Sequence, residues 1–330
     1  MHLSLVRETR HVQVDFDGMK IKGSGTIPMQ LVDLFCGIGG ASCGARDAGV
    51  DVALAVDADP EALAVHKLNH PKCDHLCISL PRDSLPLPEG SIHIHASPPC
   101  QAFSQANRAV GRALQRNALH LVEWAVRYCQ SHGTTWSLEQ VGSVAVCDLL
   151  HEMGVAFDVF HFQDLGVPQT RRRVIAGSLE IVQALRDRAG QSRRPLSVQD
   201  VIPNCRGSHV KNATTSTWQV RGGARVQIPL TRDHPSFARP VSEPAYTVTG
   251  SSPLRWYTPD TEGCTMFSPL ELMLVQGFPA SYKLHQRRGL AHQHVGNAIP
   301  PPIVSLIVAA APLSRQNKAF RASQEESRRL

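Results

Sequence analysis

Several short stretches of the chain carry residue types that do chemistry. In SPPCQ, residues 97–101, Cys100 stands directly behind Pro98 and Pro99. Each proline fixes its own φ, and Pro99 also pushes Pro98 toward an extended conformation, so the backbone bearing the thiol is stiff before any tertiary contact forms. A thiol held this way can serve as a nucleophile; a buried structural thiol beside a tight turn is the other reading of the same residues. In DLFCGIGGAS, residues 33–42, Gly37, Gly39 and Gly40 allow a backbone to approach a ligand with no Cβ in the way, or to pack tightly on protein. About twenty residues further on, Asp57 ends an apolar run where a carboxylate can accept hydrogen bonds from both hydroxyls of a ribose. Asp59 lies nearer the next helix and suits its N-cap better. Glu139 in SLEQV adds a second carboxylate, and QTRRR, residues 169–173, adds guanidinium groups.

These groups act together only if the chain gathers them. From Met29 the sequence reads strand, glycine-rich turn, helix (MQLVDLF, CGIGGAS, CGARDAG), then strand VALAVDAD and helix EALAVHKLN. The alternation continues through the period-two strand IHIHA, a helix around 111–131 and the strand TTWSLEQV, which predicts an α/β doubly wound, mostly parallel sheet. In such a sheet the glycine turn, the Pro-Pro-Cys turn and Glu139 all fall on the carboxyl edge, where open α/β folds hold ligands. The remainder divides around this unit. Residues 1–28 form an N-terminal extension with a β-hairpin expected over 12–22 around Asp17-Gly18, and residues 29–178 form the ligand-binding domain. Residues 179–267, polar and rich in Gly, Ser, Thr and Arg over most of their length, read as a smaller irregular region. Residues 268–313 regain apolar pattern and return to the first domain, and 314–330 form a frayed, mixed-charge tail.

The bulk properties agree with a globular chain. It has 330 residues, 42% of them hydrophobic, enough for a sizeable core. The net charge of +6, with basic clusters at 171–173, 221–225 and 287–288, is compatible with a polyanionic partner. Nine cysteines, an odd number, fit free thiols in a reducing compartment. No run of eighteen apolar residues and no apolar signal core is present, which predicts an intracellular protein with no export signal and no membrane partner.

The ordered motifs resemble those of the DNA (cytosine-5) methyltransferases from Asp33 to Ile303. DLFCGIGG is similar to the family's S-adenosylmethionine loop and SPPCQAFS to its Pro-Cys-Gln nucleophile motif. Arg116 with Leu119, Glu139, GVPQTRRRVI (166–175), QGFPASY (276–282) and VGNAIPPPI (295–303) match further motifs in the family's order. The resemblance implies the Rossmann-like methyltransferase fold, S-adenosylmethionine as cofactor, and double-stranded DNA as partner of a monomeric enzyme. It implies that Cys100 attacks cytosine C6, that Glu139 is the acid near N3, and that Arg171 or Arg173 holds the base oxygen and nearby phosphate. Asp33, Phe35, Gly37, Gly39, Gly40, Asp57, Pro99 and Asn297 would bind the cofactor. Ser104, Gln105, Gln169 and Thr247 would contact DNA, and 179–267 would recognise the target.

Two positions depart from the family pattern. Gln140 replaces the Asn of Glu-Asn-Val, and Cys77-Ile78 stands where Asp-Ile is common. His70, Cys73, His75 and Cys77 lie within eight residues, but without a distant second ligand pair they do not read as a zinc site, and no metal is expected. An RNA-directed relative and a catalytically impaired DNA-binding relative are the rival readings. The Cys-Phe-Thr signature of the tRNA-directed branch is missing, and Cys100, Glu139 and Arg171 are all present.

Overall fold

The computed structural model describes residues 29–100, 112–211, 216–221, 224–229, 238–251, 254–259 and 263–311. The hairpin expected over 12–22, the tail from 314, and Ser104 and Gln105 lie outside the described residues. Strand β1 (Gln30–Leu34) leads through the glycine turn to helix α1 (Gly40–Asp47), and β2 (Asp51–Asp57) leads to α2 (Pro60–Asn69). Asp59 caps α2 by accepting the amides of Glu61 at 2.9 Å and Ala62 at 3.3 Å, while Pro60 supplies a preset φ at the first helical position. Then come β3 (Asp74–Cys77), β4 (Ile92–Ala96), α3 (Arg112–His132), β5 (Thr135–Gln140), α4 (Val144–Glu152), β6 (Ala156–His161), β7 (Arg172–Gly177) and α5 (Leu179–Ala189).

These seven strands form one sheet in the order β3-β2-β1-β4-β5-β7-β6, parallel throughout except for β7, which runs antiparallel to both neighbours. The chain winds outward from β1 to β3 and then returns to β1's other side as β4. The crevice between β1 and β4 is therefore the switch point, where two successive chain ends diverge and leave room for a ligand. One face of the sheet buries Val32, Leu34, Ile94 and Leu138 under α3 and α4. The other buries Leu31 and Ile175 with side chains of α1 and α5, each large side chain contributing about 1.5–3 kcal/mol. Helix α5 buries Ile181, Val182 and Leu185 in this layer, which thus runs to residue 189.

Period-two alternation commonly marks a strand with one wet face, yet in β4 the polar positions are as buried as the apolar ones. His93 and His95 are fully buried because β5 offers hydroxyls in register, with His93 beside Thr135 and His95 beside Ser137. His93 contacts Thr135 Oγ1 at 2.8 Å and Ser137 Oγ at 2.9 Å, and His95 contacts Ser137 Oγ at 2.8 Å and Ser97 Oγ at 2.9 Å. Burial lowers both rings to about 3, and His66, fully buried beneath α1, to about 2. These rings stay neutral in the folded protein and take up protons on unfolding below the usual 6.5, so stability is lost as pH falls through that value. Asp33, raised to about 7, opposes the effect in the same window. His70, which burial lowers to about 4, adds to the loss, so urea melts at pH 6.5 and 5.0 are expected to show a net loss on the order of 5 kcal/mol.

Beyond α5 the chain forms α6 (Val198–Val201), β8 (His209–Lys211), an antiparallel ribbon of β9 (Ser216–Arg221) and β10 (Ala224–Pro229), then β11 (Arg239–Pro240), β12 (Arg255–Thr258) and β13 (Gly263–Met266). A four-stranded sheet, β11-β8-β12-β13, results. It is tied to α7 (Pro269–Val275), whose capping box of Ser268 and Glu271 also receives Trp256 Nε1 at 3.0 Å and Arg206 Nε at 2.8 Å on Glu271. Helices α8 (Arg288–Asn297) and α9 (Pro301–Ala310) close the chain, and Ser305 of α9 donates to the Gly44 carbonyl of α1 at 2.8 Å. Among the described residues, no helix is long and apolar enough to cross a membrane.

Candidate active site at the carboxyl edge of the sheet

The ends of β1, β2, β4 and β5 open into one cavity of about 370 Å³. At its β1 and β2 end, Asp57 ties two turns together. Its Oδ2 accepts the Gly37 amide at 2.7 Å and its Oδ1 the Asp59 amide at 2.8 Å, each oxygen retaining a further lone pair. Gly37 has φ +52°, and a Cβ there would meet nothing within 4 Å, so this turn faces open space in the cavity wall. Phe35 holds φ at 60°, a costly conformation for an aromatic residue, and sets its ring edge-on to Trp124 with centroids 6.3 Å apart.

Not every glycine expected at the cofactor reaches it. A Cβ on Gly39 would meet the Tyr282 hydroxyl and the His66 ring, and one on Gly40 would run into the Ile299 carbonyl. Those two glycines allow α1 to pack against protein, while Gly37 faces the cavity. Asp33 also lines the wall, but its carboxylate accepts both the amide and the hydroxyl of Ser42, at 3.1 and 2.7 Å. Burial pushes it up to about 7.

At the other end stand Pro99, Cys100, Glu139 and Arg171. Cys100 is half-buried. Burial foremost, and then the Glu139 carboxylate, push its thiol up, while Arg173 and Arg171 pull in the opposite direction. Glu139 is 6% exposed, with Arg173 Nε 3.0 Å and Arg171 Nη2 3.8 Å from its Oε1. The ion pairs are close but misaligned for hydrogen bonding: Glu139 Oε1, Arg171 Nε and Arg173 Nε have no hydrogen-bond partner. Buried charges in this condition have bonding capacity left over. Arg171, 2% exposed, donates through Nη1 to the Val248 and Gly296 carbonyls at 3.0 and 3.4 Å. Burial and then Arg173 lower it to about 10, which leaves it charged at neutral pH.

The departure at Gln140 has a structural counterpart. Its Nε2 donates to the Pro98 carbonyl at 3.1 Å and its Oε1 accepts the Val141 amide at 2.7 Å, so a fully buried amide on β5 holds the turn that carries Cys100. A Gln140→Leu protein, which keeps the volume and loses both bonds, is expected to be about 1–3 kcal/mol less stable in urea denaturation.

Gln169 and Thr247, expected at DNA, are both engaged with protein atoms, Gln169 fully buried and Thr247 half-buried. Gln169 donates to the Val275 carbonyl at 3.1 Å and to Gln276 Oε1 at 2.7 Å, and accepts the Val248 amide at 3.0 Å. It joins the approach to β7 with the end of α7. The Thr247 hydroxyl donates to the Thr170 carbonyl at 3.1 Å. Asn297, at the end of α8, is exposed and lines the cavity.

The wall also contains residues that motif reading did not single out. His294 is 5% exposed, with Nε2 3.3 Å from Asp59 Oδ2. Ser97 lines it too, and so does Ile78 of the Cys77-Ile78 pair that stands at the family's Asp-Ile position. For His294 and Ser97, only their positions beside Asn297 and the Pro-Pro-Cys turn were available as a signal. In the His70–Cys77 stretch, His70 meets the Tyr282 hydroxyl at 3.1 Å and His75 meets His66 at 2.9 Å. No group of three or more His, Cys, Asp or Glu side chains among the described residues is placed to hold a metal ion.

The family model for C-5 cytosine-specific DNA methylase matches residues 29–136 and 178–311. The chain belongs to that family. Cys100, Asp57 and Asn297 fall inside the matched segments, whereas Glu139, Arg171 and Arg173 fall between them and join the site through the geometry of β5 and β7. The chain is 35% identical over 168 residues to the type II methyltransferase M.XorII of Xanthomonas oryzae, covering 44% of this chain and 39% of that protein. With M.AgeI of Thalassovita gelatinovora the identity is 30%, over 44% of this chain and 38% of the relative. The chain therefore spans well under half of these two relatives. M.NgoPII of Neisseria gonorrhoeae is 25% identical over 86% of this chain and 95% of its own. The fold is shared with the Dnmt2 methyltransferase of S. pombe, at TM-score 0.53 and 14% identity over 86% of this chain and 98% of that one.

Proposed function

We propose that this methylase transfers a methyl group from S-adenosylmethionine to C5 of cytosine in double-stranded DNA, with Cys100 adding to C6 of a base turned out of the helix. The observation that carries this reading is a single cavity lined by Phe35, Gly37 and Asp57 at one end and by Cys100, Glu139 and Arg171 at the other. Its volume lies in the range of small-ligand sites. The free space at Gly37 and the spare lone pairs of Asp57 fit an adenosyl group, so Phe35, Asp57 and Asn297 are the residues that would hold the cofactor. When bound, S-adenosylmethionine supplies an electrophilic methyl group.

The chain's own residues make cytosine reactive. C5 is a poor nucleophile until a thiolate adds at C6, which converts the ring to an enamine. Cys100 forms that bond, and its proton passes to the neighbouring Glu139. As electrons move onto the ring, Glu139 returns the proton to N3, while Arg171 and Arg173, with unused hydrogen-bonding capacity at Nε, stabilise the charge and the base oxygen. After methylation, a water from solvent takes the C5 proton, Cys100 leaves as a thiolate and N3 returns its proton to Glu139, which restores the aromatic base and resets the thiol. Inside a duplex C6 is out of reach of the thiol, so the base must leave the stack. The four-stranded sheet and the β9–β10 ribbon, which follow α5, are the part available to read base edges.

The test is to incubate the protein with S-adenosylmethionine carrying a labelled methyl group and either unmethylated genomic DNA or bulk tRNA, then digest both and identify the labelled nucleoside. Label in 5-methyl-2′-deoxycytidine alone is expected. Label confined to the RNA digest, or in another nucleoside, would overturn the reading.

A further inference from the structure

The buried chain Thr135–His93–Ser137–His95–Ser97 runs beneath the sheet surface from the amino edge of β4 and β5 to the cavity wall, through four contacts of 2.8–2.9 Å. A neutral imidazole has one donor and one acceptor, and a hydroxyl has a single proton. Ser137 Oγ touches both rings, and with one proton it can donate to only one of them, so once it donates to His93 Nε2 it must accept from His95 and the rest of the chain is fixed. The far end of the chain sets that direction. Thr135 Oγ1 is placed to donate to the Met29 sulfur at 3.8 Å, and a thioether can only accept. With its proton committed there, Thr135 accepts from His93 Nδ1–H. His93 Nε2 then accepts from Ser137, Ser137 accepts from His95 Nδ1–H, and His95 Nε2 accepts the Ser97 proton. The neutrality this requires follows from the burial that lowers both rings.

We propose that this chain makes Ser97 Oγ an obligate hydrogen-bond acceptor at the cavity wall, where it recognises the cationic sulfonium end of the cofactor. Ser97 is well placed for this. Its amide donates to the Leu34 carbonyl at 3.2 Å, which holds it at the junction of β1 and β4, between the glycine turn and Cys100. That is the stretch of wall between the cofactor end and the base end of the cavity. An oxygen offering only lone pairs favours a positive sulfur and its polarised methyl C–H bonds, and gives a neutral thioether no such advantage. The ligand assignment rests on S-adenosylmethionine being the cofactor. The polarity of the chain does not.

Two measurements separate these claims. Long-range ¹H–¹⁵N spectra of the full chain with ¹⁵N-labelled histidine, assigned with His93→Gln and His95→Gln, are expected to show the Nδ1–H tautomer at both positions. The Nε2–H tautomer at either would overturn the polarity. Calorimetry with Ser97→Ala is expected to show S-adenosylmethionine bound about threefold more weakly and S-adenosylhomocysteine bound as in the wild type, with Ser97→Thr restoring the difference. Equal weakening of both ligands, or of neither, would overturn the role of Ser97. If the wild-type protein binds neither ligand, the cofactor reading fails and the ligand assignment falls with it, while the tautomers still decide the chain. Should Ser97→Ala fail to fold, the ratio of the two affinities in Ser97→Thr against Ser97→Cys, which offers a weak acceptor, takes its place.

Discussion

A Cys100→Ala protein is expected to lose methyl transfer by at least about 10⁴-fold while binding S-adenosylhomocysteine as tightly as the wild type. The loss is this large because, among the described residues of the cavity wall, no other is placed to make the C6 bond of the proposed mechanism. The other thiol lining the cavity, Cys36, is 6% exposed, and burial holds its pKa well up. Binding survives because the wall proposed for the adenosyl group is held by the Asp57 carboxylate, which accepts the Gly37 and Asp59 amides without involving Cys100. Since burial and Glu139 push the Cys100 thiol up, its alkylation by iodoacetamide is expected to be slow at pH 7 and to accelerate as pH rises. The exposed Cys77 and Cys264 react first, and peptide mapping by mass spectrometry distinguishes the three. A wild-type rate of transfer in Cys100→Ala would remove the thiol from the mechanism.

The second large effect is at Arg171. Arg171→Met is expected to cost about 3–5 kcal/mol, read as a lower urea midpoint with an unchanged slope. The substitution removes the donor from the Val248 and Gly296 carbonyls and leaves buried Glu139 with Arg173 alone. These contacts join the start of β7 to the segment before Gly250 and to the end of α8, so their loss loosens three parts of the cavity rim together. Arg171→Lys keeps the charge but not the planar fork, and is expected to recover less than half of the loss.

How much of this was legible in the sequence depends on the kind of interaction. Strand, turn and helix order could be read because each depends on local chemistry: the glycine turn after β1, the Asp59 cap and the prolines that stop β4 all sit where their residue types predict. Cys100, Asp57 and Glu139 could be placed on one edge because a mostly parallel sheet brings its strand ends together. What could not be read was direction. Gln169 and Thr247 match motif positions, yet both are engaged by protein partners at Val275, Gln276 and Thr170, and a motif says nothing about which way a side chain faces. Gly39 and Gly40 look like ligand glycines, but the groups that require them, Tyr282 and Ile299, are distant in sequence. Helix α5 lies within a stretch dominated by polar residues, although Ile181, Val182 and Leu185 have helical spacing. The histidines of β4 were visible only as alternation. Their function depends on Thr135 and Ser137, which become neighbours once β5 pairs with β4.

The most direct test of the central claim uses a bacterial host lacking cytosine methylation, with the wild-type protein or Cys100→Ser produced as soluble folded chains and the host DNA sequenced after bisulfite treatment. The account predicts cytosines protected in a recurrent sequence context by the wild type and complete conversion with Cys100→Ser. Complete conversion in both, or the same protection in both, would contradict it.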